Sequence, residues 1–275
     1  MHEAIELGVT LFDTGASYAG GEAEPRLGRA LKGRDASRLI VATKAGTRAH
    51  GGRVIRDPGL TAIRASVERS LRNLGLDSLP LLQLHGPATA ELTSELVGGL
   101  EDLKRQGLVR ALGVNSFDPS VIEHVLRLPA FDVVMIDYNV LRPERTALAA
   151  AAAAAGKGVL AGMPLAMGHT GLKILKLRGV QDLWYAARGI ARHGREVREG
   201  ARYAFLNDVA GMTGSQAALA YVLADPNISS AVVGTTRIAH LRENAAASGL
   251  RLPDAVLARI RKIQERRFAN SASWA

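Results

Sequence analysis

The feature that most constrains this chain is a rhythm. Seven times an apolar run of strand length is followed by a polar or glycine-rich bend and then by a helical pattern. The runs are Val9 to Phe12, Leu39 to Ala42, Leu79 to Leu82, Ala111 to Val114, Val133 to Ile136, Val159 to Ala161 and Ala231 to Val233. Just beyond them lie Asp13, Lys44, His85, Asn115 with Ser116, Asp137 with Asn139, Met163 with Pro164, and Thr235 with Thr236. Unbroken apolar runs suit parallel strands covered by helices, and a ring of polar groups at the carboxyl ends of such strands is where a (β/α)8 barrel carries its chemistry. The expected fold is therefore α/β, a (β/α)8 TIM barrel. An open doubly wound sheet would gather its polar endings at one switch point and carry a G-x-G-x-x-G turn, which is absent.

At 275 residues, with no Pro/Ser-rich linker, the chain is expected to form one domain spanning 1–275. A hydrophobic fraction of 47% supplies a sizeable core, and no apolar run approaches membrane-spanning length. Glu3 and Glu6 speak against a signal peptide at the start, so the expected location is cytoplasmic, without a membrane partner. With Cys 0, disulfides, thiolate catalysis and sulfur-ligated metal are excluded, and no metal site is expected. The formal net charge of +9 fits an anionic ligand or an Arg-rich background. Much of the excess sits between Arg178 and Arg202, where cations alternate with Glu196 and Glu199; that spacing suits a solvated helix face, and few aromatics are available for base stacking, so nucleic acid is not expected as a partner.

Several helices announce their ends. Leu60, Ile63, Val67, Leu71 and Leu74 form one apolar stripe that Gly75 stops. Leu92, Leu96, Leu100 and Leu103 repeat the pattern up to Gly107, and Asp118-Pro119 is a cap and first-turn pair for Val121, Ile122 and Val125. Glu144 to Ala155 is an alanine-rich helix, Gln216 to Ala224 is halted by Asp225-Pro226, and Glu3 to Leu7 is helical before the first strand.

Asp13-Thr14-Gly15 matches the Asp-Thr-Gly of aspartic proteases, but that mechanism needs two such aspartates sharing a proton, and only one is present. A different grouping accounts for more residues. Tyrosine, with an unperturbed pKa of about 10, is a weak acid near neutral pH, and an adjacent ammonium stabilises its phenolate. Lys44 is the candidate ammonium, Asp13 the carboxylate that a buried lysine needs, and His85 the group that orients a carbonyl or assists the proton beside Tyr18. Each residue alone has a bland reading as a cap, a core tyrosine, a surface lysine or a core histidine. Together they end three consecutive strands, with Tyr18 five positions after Asp13, a pattern hard to obtain by accident.

At these residues the chain resembles the aldo-keto reductase family. FDTGASYAGGEAEPRLGRAL is similar to the family's Phe-Asp-Thr-Ala segment, with its tyrosine, glycine pair, Ser/Ala-Glu and Leu-Gly; VATKAG resembles the strand of the catalytic lysine, LLQLHGP that of the catalytic histidine, and GTTRIAHLRENAAA the closing signature for the adenosine end of the cofactor. The resemblance implies Tyr18 as general acid, Lys44 and Asp13 as its tuning pair and His85 as the orienting group, with a reduced nicotinamide as electron source. It places Asn115 and Ser116 on the carboxamide, although the family usually has serine first. Met135 stands where many members have glutamine, leaving Asp137 or Asn139 to compensate, and Gly162 stands where a tyrosine often stacks on the nicotinamide, leaving that face to Met163 with Pro164 and Leu165. Gly234, Thr235, Thr236 and Arg237 at a helix start offer hydroxyls, N–H groups and a cation to a 2′-phosphate, which favours NADPH/NADP over NAD. His240 replaces a frequent arginine there, and Glu243 with Asn244 matches the adenine-side pair.

Members of that family usually begin with a hairpin and a first barrel strand ahead of the segment that opens this chain. The expectation is a barrel without its first strand, with Met1 a late start or the chain a fragment. The implied reaction is NADP(H)-dependent reduction of an aldehyde or ketone, or oxidation of an alcohol or sugar. The alternative is a cofactor-binding barrel that acts as a regulatory subunit. Substrate identity is assigned to loops at His50 to Asp57 and Gly168 to Gly200, and oligomeric state is undetermined.

Overall fold

The computed structural model describes residues 1–166 and 198–272. All seven expected strands are present, as β1 (Leu11–Asp13), β2 (Ile40–Ala45), β5 (Leu81–His85), β6 (Leu112–Asn115), β7 (Val133–Asp137), β8 (Gly158–Gly162) and β9 (Ser230–Ala231). They form one sheet in the order β1-β2-β5-β6-β7-β8-β9. The paired registers run parallel from β1 through β7. Spatial order follows chain order without reversal, which is the order of a (β/α)8 barrel; a doubly wound sheet would turn back at its switch point.

Between β2 and β5 the chain forms a feature that the sequence reading assigned to a loop. β3 (Thr47–His50) and β4 (Arg53–Arg56) pair antiparallel with His50 opposite Arg53, so only Gly51 and Gly52 remain for the turn. Both glycines have positive φ, 54° and 73°, as the two-residue hairpin turns require. His50 to Asp57 is thus mostly hairpin rather than free loop.

The helices follow their signals closely. After α1 (His2–Glu6) and α2 (Ala23–Leu31) come α3 (Leu60–Leu74), closed by Gly75 at φ 67°, and α4 (Ser94–Arg105), opened by Thr93, whose side chain accepts from the Leu96 N–H. Asp118 caps α5 (Pro119–Leu126) through the Ser120 N–H, and α6 (Arg145–Ala154) is the alanine-rich segment. Then follow α7 (Gly214–Leu223), α8 (Ile238–Ala246) and α9 (Asp254–Ala272). Thr213 and Gln216 form a reciprocal capping box on α7, a Thr-x-x-Gln signal the sequence carried. Among the described residues no helix is long and apolar enough to cross a membrane.

The chain packs as two units, Met1–Ile136 with Ala147–Leu160, and Asp137–Thr146 with Ala161–Ala275. The first unit's core is the apolar filling between strands and helices, including Val41, Ile63, Val67, Leu82, Leu100, Leu112, Ile122 and Val134, all buried. The second gathers Val140, Leu141, Tyr203, Leu206, Ala217, Ala220, Leu252 and Ile260 into one cluster. Inside this unit Tyr138 donates to Asp225 at 2.5 Å, and burial, with that bond, drives the phenol's pKa far above its ordinary value. Of the charge-rich stretch from Arg178 to Arg202, positions 178–197 lie outside the described residues, as does most of the Gly168 to Gly200 segment.

Candidate active site

Register brings the candidate residues together in the first unit. Asp13 lies opposite Ala42, and Lys44, two positions further along β2, is on the same face. Lys44 in turn lies beside Gln83, and His85 beside Asn115, so one face of four adjacent strands carries Asp13, Lys44, Gln83, His85 and Asn115. Thr43 alternates to the other face, where its hydroxyl donates to Glu24 at 2.5 Å.

Lys44 is 1% exposed, and its ammonium has two oxygen partners: an ion pair with the Asp13 carboxylate, and the Thr14 carbonyl at 2.9 Å. A buried cation survives only when paired and hydrogen-bonded, and Asp13 meets that need. Burial raises the Asp13 pKa above its ordinary value, and the neighbouring Lys44 charge and the Lys44 and Gln83 hydrogen bonds pull it back down. The Gln83 amide donates to the other Asp13 oxygen at 3.0 Å, which leaves the near oxygen to Lys44. Gly113 leaves the room for this amide, since a Cβ there would come within 3.1 Å of the Gln83 side chain and of the Val133 carbonyl.

Tyr18 is carried over this pair by the loop that leaves β1. The Thr14 N–H bonds the Ala42 carbonyl at 2.8 Å, prolonging the strand pairing, and Tyr18 then opens a short 3-10 turn. The Lys44 ammonium stands 4.6 Å from the centre of the Tyr18 ring, and the His85 ring meets the phenol edge-on, with centroids 5.7 Å apart. Tyr18 is 37% exposed, and among the described residues neither its hydroxyl nor His85 Nε2 has a protein partner. Nδ1 of His85 is engaged by Thr47 at 2.8 Å. Burial lowers the His85 pKa, and the Lys44 and Arg56 charges lower it further, which favours the neutral ring. A neutral imidazole and a phenol, both open to the same mouth beside a buried ammonium, can bind one carbonyl oxygen and protonate it.

The loop is fixed from behind. Glu24 on α2 is 1% exposed and accepts from Thr43, from Ser70 at 2.6 Å and from Asn73 at 3.1 Å, tying α2 to β2 and α3. At Gly28 an added Cβ would lie 2.1 Å from the Asn73 carbonyl, so the two helices meet at backbone contact. A cavity of about 640 Å³ lies elsewhere, against the carboxyl ends of α2 and α3, lined by Arg29, Lys32, Arg34 and Arg72. Those helix ends lead into the amino ends of strands, away from the tetrad, and cations there are accounted for by the negative helix termini.

The residues expected to hold a cofactor divide between the units. In the first, Asn115 ends β6 with no side-chain partner among the described residues, which suits a carboxamide, while the buried Ser116 hydroxyl accepts from the Asp118 N–H at 3.2 Å. In the second, two expected compensators are already engaged. The Asp137 carboxylate is held by Arg145 at 2.7 Å and by Arg142 at 3.5 Å, and Asn139 donates to the Met163 carbonyl and accepts from the Leu141 N–H. Met163, at φ 53°, is 36% exposed, with Pro164 buried and Leu165 half-buried. Gly234 through His240 are all exposed; the Thr235 hydroxyl accepts from the Arg237 N–H at 3.1 Å, and the guanidinium of Arg237 and the side chains of Thr236, His240 and Asn244 carry no partner among the described residues. The free Thr236 hydroxyl and the Arg237 guanidinium at the open N-terminus of α8 fit an anionic phosphate. Glu243 is less free, because Thr213 donates to its carboxylate.

Sequence reasoning missed Gln83, Thr47, Ser17 and Glu24. Gln83 was detectable as the one polar side chain inside an apolar run, two positions before His85 and hence on its face. Thr47 became a neighbour of His85 only through the hairpin.

The model of the Aldo/keto reductase family matches residues 1–265. An uncharacterized oxidoreductase, YqkF, of Bacillus subtilis (strain 168) is 29% identical over 263 residues, covering 91% of this chain and 81% of the relative. L-galactose dehydrogenase of Arabidopsis thaliana is 30% identical over 258 residues, 90% of this chain and 76% of the relative. Among solved structures, the holo form of an aldo-keto reductase from Bacillus halodurans superposes with a TM-score of 0.78 at 26% identity, covering 95% of this chain and 85% of that one.

Proposed function

The chain belongs to the aldo/keto reductase family of oxidoreductases, and from that premise we propose that it reduces an aldehyde or ketone with NADPH, or oxidises the corresponding alcohol or sugar with NADP. The observation that carries the reading is the tetrad itself: the Lys44 ammonium 4.6 Å from the Tyr18 ring, paired to Asp13, with His85 beside the phenol and both distal polar atoms open.

In this reading the substrate oxygen sits between the Tyr18 hydroxyl and His85 Nε2. His85, being neutral, donates a hydrogen bond that polarises the carbonyl. Asn115 and Ser116 would hold the carboxamide of a reduced nicotinamide, which would supply the hydride for the carbonyl carbon. As negative charge grows on the oxygen, Tyr18 releases its proton to it, and Lys44 stabilises the phenolate left behind. Asp13 keeps Lys44 charged and in place, and Gln83 keeps Asp13 turned towards it. In the oxidative direction the same groups act in reverse, with the Tyr18 phenolate as base.

Asn115 and Ser116 are assigned to the carboxamide, and Gly234, Thr235, Thr236 and Arg237 to the 2′-phosphate, with His240, Glu243 and Asn244 towards the adenine. Met163, Pro164 and Leu165 are assigned to the nicotinamide face. Asp137 or Asn139, both already bonded within their own unit, is assigned the carboxamide contact that Met135 does not make. The family match runs unbroken through both units, which supports a single working domain over 1–275. The plant relative's name brings aldoses into the candidate substrates alongside simple aldehydes.

The test is a cofactor-linked screen, in which NADPH and NADH oxidation is followed with small aldehydes and ketones, and NADP and NAD reduction with aldoses and polyols. Turnover with NADPH or NADP over their non-phosphorylated counterparts supports the reading. No turnover with any pair, from a protein that unfolds cooperatively, rejects it.

A further inference from the structure

His85 can act as a donor to a carbonyl only in one of its two neutral tautomers, the one that carries the proton on Nε2. What sets that tautomer is the partner of Nδ1, here the Thr47 hydroxyl at 2.8 Å. Thr47 is 9% exposed, and its Oγ1 is 3.1 Å from the hydroxyl of Ser17, which is 5% exposed and directly precedes Tyr18. Among the described residues the Ser17 side chain has no other polar partner.

Three proton arrangements fit these three atoms. In the first, Ser17 donates to Thr47 and Thr47 donates to Nδ1, so each hydroxyl proton has an acceptor and the ring proton lies on Nε2. In the second, Nδ1–H donates to Thr47, Thr47 donates to Ser17, and the buried Ser17 proton is left with no acceptor. In the third, Nδ1–H and Ser17 both donate to Thr47, which leaves the buried Thr47 proton without an acceptor. An unsatisfied buried donor costs the desolvation of that group, so the first arrangement wins. We propose that Ser17 and Thr47 form a two-hydroxyl relay that holds His85 as its Nε2–H tautomer, making them positioning residues that keep the histidine a hydrogen-bond donor and leave proton delivery to Tyr18.

The relay also joins parts of the chain that the tetrad alone does not. Ser17 lies on the loop that presents Tyr18, Thr47 begins the β3–β4 hairpin, and His85 ends β5. The charged and titratable groups facing the ring are Lys44 from β2, Arg56 from β4 and the Tyr18 phenol. The two cations disfavour an imidazolium, so the relay acts on a neutral ring. The catalytic use of the tautomer rests on the function proposed above; the tautomer itself does not.

The experiment is nitrogen NMR of imidazole-labelled protein, with the His85 signals identified by their loss in His85→Gln. The expected result is an unprotonated Nδ1 and a protonated Nε2 in the wild type, a mixture of tautomers in Thr47→Val, and the wild-type pattern restored in Thr47→Ser. Ser17→Ala shifts the balance in the same direction as Thr47→Val, by less. For any carbonyl found in the screen, Thr47→Val lowers kcat/KM by roughly tenfold, short of the 10²–10³ that a whole oxyanion donor is worth, with cofactor affinity unchanged. A wild type carrying its proton on Nδ1, or a Thr47→Val spectrum identical to wild type, overturns the relay. If no carbonyl is turned over, the function fails while the spectrum still decides the relay.

Discussion

Around Lys44 the ammonium and the Asp13 carboxylate are paired and buried, whereas from Gly234 to His240 every residue is exposed and no residue of α8 is fully buried. The first region is wired by strand register: Asp13, Lys44, Gln83 and His85 come from neighbouring strands, and the Asp13 carboxylate holds both Lys44 and Gln83. In the second, hydroxyls, a guanidinium and helix N–H groups stand with few partners of their own. The difference teaches where each part of the activity draws its organisation. Charge that must be stabilised in a transition state needs dipoles fixed in advance, so the acid corner is rigid at the expense of burying an ion pair. Recognition of a phosphate needs only unsatisfied donors that an anion can gather.

If that contrast is right, damage to the corner costs stability as well as rate, and damage to the segment costs affinity alone. The largest effect is expected for Asp13→Ala, which strands the Lys44 ammonium in the core. Unfolding in urea should show a loss of about 3–5 kcal/mol, and turnover should fall with it. Stability within error of wild type would mean that the pair is not buried as described.

Gly28→Ala comes next. Its Cβ meets the Asn73 carbonyl at 2.1 Å, backbone that cannot step aside without moving α2 from α3. About 1–3 kcal/mol should be lost in the same assay. A neutral result would show that the helices separate freely and that the Tyr18 loop is not braced from behind.

In the open segment Arg237→Ala should weaken NADPH by about tenfold in calorimetric titration, as expected for one charge-assisted hydrogen bond, and leave NADH unchanged. Its unfolding should stay within about 0.5 kcal/mol of wild type, as for an ordinary surface site. A matching loss for NADH would move Arg237 away from the 2′-phosphate.

The smallest effect is on pH dependence. The folded pKa of His85 lies below its ordinary 6.5, so between those two values the unfolded chain binds the proton and the folded one does not. Stability from this group is complete above 6.5 and is lost as the pH falls towards the folded value. Asp13 has the opposite sign, because its raised pKa favours the fold below 3.8 and that contribution disappears as the pH rises through the folded value. His85→Gln should therefore gain on wild type as the pH drops below 6.5. A constant difference across that range would place His85 in open water.

Strand positions were legible because apolar runs with polar endings leave few alternatives, and the order of the tetrad followed from those endings. The Leu60–Leu74 helix was legible to the residue because Gly75 stops it. What stayed hidden depended on pairing across sequence distance. The hairpin at Thr47–Arg56 places Thr47 on His85, and no local pattern joins residues 38 positions apart. The partner of Asp137 was likewise out of reach: it ends a strand, and Arg145, which holds its carboxylate at 2.7 Å, comes from the following helix. The Glu24 network was hidden for the same reason, since its partners come from two other elements, β2 and α3.

The central claim is that Tyr18, tuned by Lys44, delivers the proton. Single-turnover hydride transfer from NADPH to a reactive aromatic aldehyde, compared between wild type and Tyr18→Phe, tests it most directly when NADPH binding to both is measured by calorimetry. The account predicts a rate lower by roughly 10²–10⁴ in the variant, with unchanged cofactor affinity. Equal rates in the two proteins would contradict it and move the proton to His85 or to solvent.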